Sequence, residues 1–281
     1  ECIPNLIQLS THLAHKTKNI RFGCAFNVLP MWHPLRLAAD YAVADILTGG
    51  RVIFGAGRGY HTREVETLGA PMLDQEANRQ LFEEQLEIII KSFKEESFSH
   101  KGKNYTLPPR VPYRGYQLEE ITLVPRPVHQ PVEIWQPLVS GSRRGMEFMI
   151  KHGVRGLISG SAHQFVDQYI HNYMEIAAEQ GHELQLGENL ALGYRFYIAE
   201  TREKALKEAR IYFEEHVKFS QPLGMLRYGE EQMKNIGSAA GQTLDAKPTI
   251  EDGVASGVWI CGPPEDFITH FKGLEERYPG I

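Results

Sequence analysis

Arg58 sits between Gly57 and Gly59 at the end of the segment Gly50-Arg-Val-Ile-Phe-Gly-Ala-Gly-Arg-Gly-Tyr60. Val52, Ile53 and Phe54 form a short apolar run that reads as a buried strand. A glycine-rich turn after such a strand lets a ligand approach the backbone closely. A guanidinium in that turn suits a phosphate, because it donates two parallel hydrogen bonds. The other reading is a tight strand-to-loop turn with a solvated Arg58, and these residues alone leave both open.

A second candidate is Ser142, where Val139-Ser140-Gly141 runs into a helical pattern. A serine there caps the helix, and the N–H groups of the first turn attract an anion. A plain cap without a ligand is the alternative. Arg143 and Arg144 add positive charge nearby and read as solvated. His33 precedes Pro34 and reads as a group that caps or packs at a helix start rather than as an acid–base residue. Asp40, Asp45 and Arg51 read as a structural charge set tying that helix to the strand after it. Cys2, Cys24 and Cys261 lie far apart, which is neither a disulfide framework nor zinc spacing and fits a reducing cytoplasm.

The elements that must position these residues alternate. Helical periodicity covers 4–17, 34–48, 74–95, 142–151, 163–180, 201–219 and 263–277. Strand-like runs cover 20–28, 51–56, 132–137, 154–158 and 190–199. Gly49-Gly50 ends the second helix, and Thr201 opens the sixth. Residues 99–131 are rich in Pro and Tyr and lack a regular period. Residues 222–256 hold no clear strand and read as an insert, either a lid or a surface loop. This β-α-β-α order is the signature of a parallel sheet wound with helices.

Bulk properties narrow the function. The 281 residues can form two average domains or one α/β barrel. A net charge of −5 argues against a nucleic-acid partner. No apolar run approaches the roughly 18 residues of a membrane span. The start, Glu1-Cys-Ile-Pro4, shows no signal-peptide pattern and, like the end, reads as cut.

The chain resembles the bacterial luciferase-like flavin monooxygenases. The pattern is Asn27-Val-Leu-Pro30, His33-Pro34-x-Arg36-x-Ala-x-Asp40, Asp45, Gly50-Arg51 and Gly55-x-Gly57-Arg58-Gly59, followed by Glu64 and Gly69. It continues with Pro125-Arg-Pro127, Pro131-Val-Glu-Ile-Trp135, Ser140-Gly-Ser142, Lys151-His-Gly153, Ala199-Glu-Thr201 and Cys261-Gly-Pro-Pro-Glu265. The resemblance implies an α/β fold, a (β/α)8 TIM barrel, as one domain over 1–281 with 222–256 as its lid. The runs read above would be strands three to seven of that barrel, so the first two and the last are expected outside this chain, which then reads as a fragment. The family's usual histidine pair would precede Glu1, and catalytic residues are left unassigned.

The resemblance also implies a cofactor, reduced FMN supplied by a separate flavin reductase, which activates O2 to oxidise a small organic substrate. A deazaflavin is the alternative cofactor, with hydride transfer in place of oxygenation. A flavin-free, non-catalytic barrel subunit is a third possibility. Arg58 and Ser142 would take the flavin phosphate, with Gly57, Gly59, Tyr60, Ser140 and Gly141 around it. Ala25, Phe26 and Asn27 would line the flavin ring, with a non-prolyl cis peptide at Ala25–Phe26 as in some relatives. Gly57 stands where luciferases proper carry a reactive cysteine, so light emission is not favoured. A homodimer or higher oligomer is expected, with no metal.

Overall fold

The computed structural model describes residues 5–226 and 247–281. Within it the chain divides into two compact units, residues 1–136 and 137–281.

In the first unit, Asn5 caps α1 (Leu6–Ala14) by accepting from the Gln8 N–H. Helix α2 (Pro34–Thr48) has its proline in the first turn and ends on Gly49 at φ 65°, the left-handed conformation that glycine tolerates best. The expected strand over 20–28 forms as two short pieces, β1 (Phe22–Gly23) and β2 (Asn27–Val28). Both pair in parallel with β3 (Val52–Gly57): Phe22 faces Val52, and Asn27 faces Ala56. On the other side of β3, Phe54 faces Ile134 and Gly55 faces Trp135 of β8 (Ile134–Pro137), again in parallel. Helix α4 (Gln75–Lys94) is capped by Asp74, which accepts from the N–H groups of Glu76 and Ala77. A short helix, α3 (Thr62–Val65), lies in the loop after β3 and has no counterpart in the sequence reading.

The core of this unit is aromatic. Tyr41 of α2, Phe54 of β3 and Phe93 of α4 meet with ring centroids 5.2 to 5.9 Å apart. Phe54 is wholly buried, and burying such a ring contributes about 1.5–3 kcal/mol. The Tyr41 hydroxyl donates to the Val52 carbonyl at 3.0 Å, which locks α2 onto β3.

The aperiodic stretch 99–131 holds two tight antiparallel pairs, β4 (His100–Lys101) with β5 (Thr106–Leu107) and β6 (Pro112–Tyr113) with β7 (Tyr116–Gln117). Pairs this short leave no periodicity to read. The stretch is anchored by Glu84 of α4, which accepts from the Asn104 and Tyr105 N–H groups, from Asn104 Nδ2, and lies 3.0 Å from His100 Nε2. Burial pushes the Glu84 carboxyl up, but the bonds from His100, Asn104 and Tyr105 outweigh it and leave its pKa below the usual value. A lowered carboxylate pKa stabilises the fold above the ordinary Glu range, and that contribution is lost as pH falls through the lowered value. Glu84→Gln is therefore expected to destabilise the protein near pH 7, with the difference closing in acid. Urea midpoints from pH 3 to 7 check this, and a gap that persists unchanged at the lowest pH would refute it.

In the second unit, α5 (Arg143–His152) and α6 (His163–Glu179) flank β9 (Arg155–Ser159). Strand β9 pairs in parallel with β10 (Leu190–Gly193). The expected strand over 190–199 breaks at Tyr194, and its second half, β11 (Arg195–Ile198), pairs in parallel with β12 (Trp259–Gly262). Strand β12 is absent from the sequence reading, because four residues next to Gly262-Pro263-Pro264 are too short a run to show a period. Phe213 and Val217 of α7 (Arg202–Ser220), Trp259 of β12 and Ile250 of α8 (Ile250–Ala255) form one buried cluster. Helix α9 (Pro264–Arg277) closes the described chain.

The expected insert at 222–256 falls mainly on residues 227–246, outside the described residues, and so does the lid expected there. Its described C-terminal part is more regular than expected: Thr249 and Asp252 form a reciprocal capping box at the start of α8. Leu226 is buried in the α7–α8–β12 cluster. Among the described residues, no helix is long and apolar enough to cross a membrane.

Candidate cofactor-binding elements

Of the expected ring-lining residues, Ala25 and Phe26 lie between β1 and β2, and Asn27 opens β2. The Ala25–Phe26 peptide is cis, as the resemblance implies. Asn27 is buried, and its Nδ2 donates to the Gly55 carbonyl at 2.9 Å. The Phe26 ring lies over the glycines of β3. A Cβ at Gly57 would stand 3.1 Å from Phe26 Cβ, and one at Gly55 would stand 1.4 Å from the Cys24 carbonyl oxygen. Gly59, at φ 80°, faces Val65 of α3, where a Cβ would come within 2.4 Å. Packing inside the unit therefore accounts for these glycines without a ligand. Burial pushes the Cys24 thiol up, which keeps it protonated and makes it a poor nucleophile near pH 7.

Arg58 follows the C-terminal end of β3, the end at which parallel α/β sheets bind ligands. It is half-buried. Its Nε donates to Asn78 Oδ1 at 2.9 Å, and Nη2 donates to Gln75 Oε1 at 3.1 Å. Asn78 Nδ2 returns a bond to the Arg58 carbonyl at 3.1 Å and a second to the Pro71 carbonyl at 2.9 Å. The guanidinium is thus fixed by the first turn of α4. Tyr60 is exposed and stands edge-on to His61. His61 caps α3, its Nδ1 accepting from the Glu64 N–H.

Several other expectations resolve into structure. His33 occupies the N-cap position of α2 without a capping bond and packs edge-on against Tyr105. Burial, with Arg36 nearby, pushes its pKa below the usual imidazole value. Asp45 and Arg51 do not form the joint set expected of them. Asp45 is buried on α2 and accepts from the Val128 and His129 N–H groups. Arg51 instead donates to carbonyls at the end of α1 and in the following loop, including Ala14 at 2.8 Å and Thr17 at 3.2 Å. Each anchors a different segment, which sequence spacing does not separate.

In the second unit, Ser142 stands at the N-cap of α5, and its side chain makes no capping hydrogen bond. The expected cap is positional only. The N–H groups of a first helical turn lack intrahelical acceptors and carry the positive end of the helix dipole. Gly141 has φ 59°, and a Cβ there would meet the Tyr169 ring at 2.3 Å. The Tyr169 hydroxyl donates to the Val139 carbonyl at 2.9 Å, so α6 shapes this loop. Ser140 is exposed. Arg143 pairs with Glu147 and Glu179 rather than being merely solvated.

This unit also holds an open cavity of about 300 Å³ lined by His163, Asp167, Tyr194, His270 and Arg277 among others. None of the residues singled out from the sequence lines it. Burial, with His163 beside it, pushes the His270 imidazole below its usual pKa. Asp167 already takes Arg277 and the Tyr278 hydroxyl. Among the described residues, no group of three or more His, Cys, Asp or Glu side chains is placed to hold a metal ion.

The chain is 27% identical over 206 residues to the oxygenase component of the flavin-dependent trigonelline monooxygenase of Acinetobacter baylyi, covering 72% of this chain and 52% of that protein. It is 26% identical over 276 residues to limonene 1,2-monooxygenase of Rhodococcus erythropolis, covering 95% of this chain and 62% of that protein. The chain thus spans roughly half to three fifths of these relatives' length. Among solved structures, it superposes with a TM-score of 0.74 at 23% identity on the FMN complex of the oxygenating constituent of 3,6-diketocamphane monooxygenase from the CAM plasmid of Pseudomonas putida. That match covers 99% of this chain and 75% of the other. A second, an F420-dependent secondary alcohol dehydrogenase, gives a TM-score of 0.68 at 17% identity, covering 97% and 75%. The fold is the luciferase-like α/β barrel type, of which the described strands make up part. A sequence model of the luciferase-like monooxygenases matches residues 3–279, and the chain belongs to that family.

Proposed function

We propose that this chain binds reduced FMN, delivered by a separate reductase, and takes part in oxygenating a small organic substrate. The observation that carries the reading is the Arg58 guanidinium, held by Asn78 and Gln75 at the C-terminal end of β3. The donor set fits the cofactor. In the first unit Arg58 carries a planar guanidinium whose shape suits a phosphate, and in the second unit, taken by itself, the start of α5 at Ser142 is of the kind that suits an anion. Phe26 and Asn27 lie at a rigid strand end suited to a flat ring, with Asn27 tied to Gly55. Bound reduced flavin supplies the electrons that activate O2, and the protein binds and orients it.

The family relationship supports flavin chemistry, and the Acinetobacter baylyi relative is an oxygenase component. The same fold also serves a deazaflavin enzyme, so the cofactor is decided by measurement. Under anaerobic conditions the protein should bind reduced FMN in preference to reduced deazaflavin. On admitting air, O2 uptake should accompany substrate oxidation. Tight binding of the deazaflavin with oxidation independent of O2 would replace this reading by hydride transfer. No affinity for either cofactor would remove both.

A further inference from the structure

We infer that Asn78 is a positioning residue for the Arg58 guanidinium, so that phosphate selectivity is set from inside α4 rather than from the glycine turn. The inference rests on the reading of Arg58 as a phosphate ligand. Asn78 is fully buried, with 0% exposure, four residues into the frame that Asp74 caps. Its backbone N–H donates to the Asp74 carbonyl at 2.9 Å, so the helix fixes the residue. Its side-chain bonds point one way, into the loop after β3 and its surroundings: one from Arg58 Nε, one to the Arg58 carbonyl, one to the Pro71 carbonyl. A buried amide used at both ends in this manner holds the backbone and the side chain of a single arginine at once.

The chemistry follows from which nitrogen is engaged. An arginine meets an oxyanion either side-on, through Nε and one terminal nitrogen, or end-on, through both terminal nitrogens. Asn78 holds Nε, so the clamp sets where the guanidinium plane lies before a phosphate meets it. Gln75 Oε1, accepting from Nη2, sets the rotation of the plane. A free arginine side chain loses rotamer entropy on being fixed. The clamp bears that cost in the folded protein, before any ligand arrives. Asn78 escapes a reading of sequence because it stands 20 positions after Arg58 in an ordinary helical pattern.

The test is a double-mutant cycle read on two probes, reduced FMN and reduced riboflavin, which lacks the phosphate. Asn78→Ala should raise the Kd for FMN about 5- to 12-fold, the upper part of the range for one ordinary hydrogen bond because the effect reaches the phosphate only through Arg58, and leave riboflavin within about twofold. In an Arg58→Ala background the same change should add nothing, because there is no guanidinium left to position. A structural role would weaken both probes together, or would add fully to Arg58→Ala, and either result overturns the inference. If Arg58→Ala itself leaves the FMN-to-riboflavin preference intact, the phosphate reading fails and the inference with it. If Arg58→Ala abolishes that preference and Asn78→Ala does not change it, only the inference fails. Should Asn78→Ala not fold, Asn78→Asp keeps the size and the acceptor while setting a carboxylate against Nε, and the exposed Gln75→Ala removes the second acceptor. Both should weaken FMN selectively, and a pair of folded variants with unchanged selectivity would refute the inference.

Discussion

Arg58→Ala should weaken the binding of reduced FMN by about 1.5–3 kcal/mol, roughly 10- to 150-fold, the range for a hydrogen-bonded charge. Binding of reduced riboflavin should change little. The reason for the size is desolvation: Arg58 is half-buried at a strand end and already fixed, so its charge is screened less than that of a surface arginine. Arg58→Lys should recover only part of the loss, since an ammonium keeps the charge but not the fork. Ser142→Ala should cost less, about 0.5–1.5 kcal/mol, the value of a single ordinary hydrogen bond. One complication has a control. Removing Arg58 leaves the buried Asn78 Oδ1 without its partner, which costs about 1–3 kcal/mol of stability on its own. Stability must therefore be measured alongside affinity, and riboflavin binding shows whether the flavin site survives. Equal losses for FMN and riboflavin would take Arg58 out of phosphate recognition.

The legible part of this chain was the part built from repeated local rules. Helix α2 was bounded by Pro34 and Gly49 in the sequence and has those bounds in the structure, because cap chemistry is local. The alternating order of strands and helices was legible for the same reason, and the family pattern added the cis peptide at Ala25–Phe26. What escaped depended on tertiary contact. Strand β12 is four residues beside two prolines and exists because β11 lies next to it. The run over 20–28 broke in two because β1 and β2 meet different parts of β3. Asp40, Asp45 and Arg51 read as one charge set, whereas the partners of Asp45 and Arg51 come from the 128–129 loop and from the end of α1. Arg58 stood out by its flanking glycines, whereas the residue that holds it, Asn78, carried no local signal at all.

The glycines after the buried run give the second large expectation, because two causes were open and they separate by experiment. If close approach of a ligand were the reason for Gly55 and Gly57, alanine there would spare the fold and damage binding. The structure gives a steric reason instead. A Cβ at Gly55 would lie 1.4 Å from the Cys24 carbonyl oxygen, a backbone atom that cannot rotate away. Relieving that overlap means moving the segment between β1 and β2 off β3, which breaks the bond from Asn27 to Gly55 and the register of Phe22 with Val52. Gly55→Ala should therefore lose more than about 4 kcal/mol, in the exceptional tail of single substitutions, and accumulate as unfolded or insoluble protein. Gly57→Ala makes one tight contact, with Phe26 Cβ at 3.1 Å, so a small shift suffices and a loss of about 1–3 kcal/mol is expected. Gly23→Ala meets nothing within 4 Å and should be neutral or up to about 1 kcal/mol stabilising, through the unfolded chain. The order of urea midpoints should be Gly23→Ala highest, Gly57→Ala lower, Gly55→Ala lowest or unmeasurable. A Gly55→Ala protein as stable as Gly23→Ala would contradict the packing. A Gly57→Ala protein of full stability that had lost FMN alone would return that glycine to the cofactor.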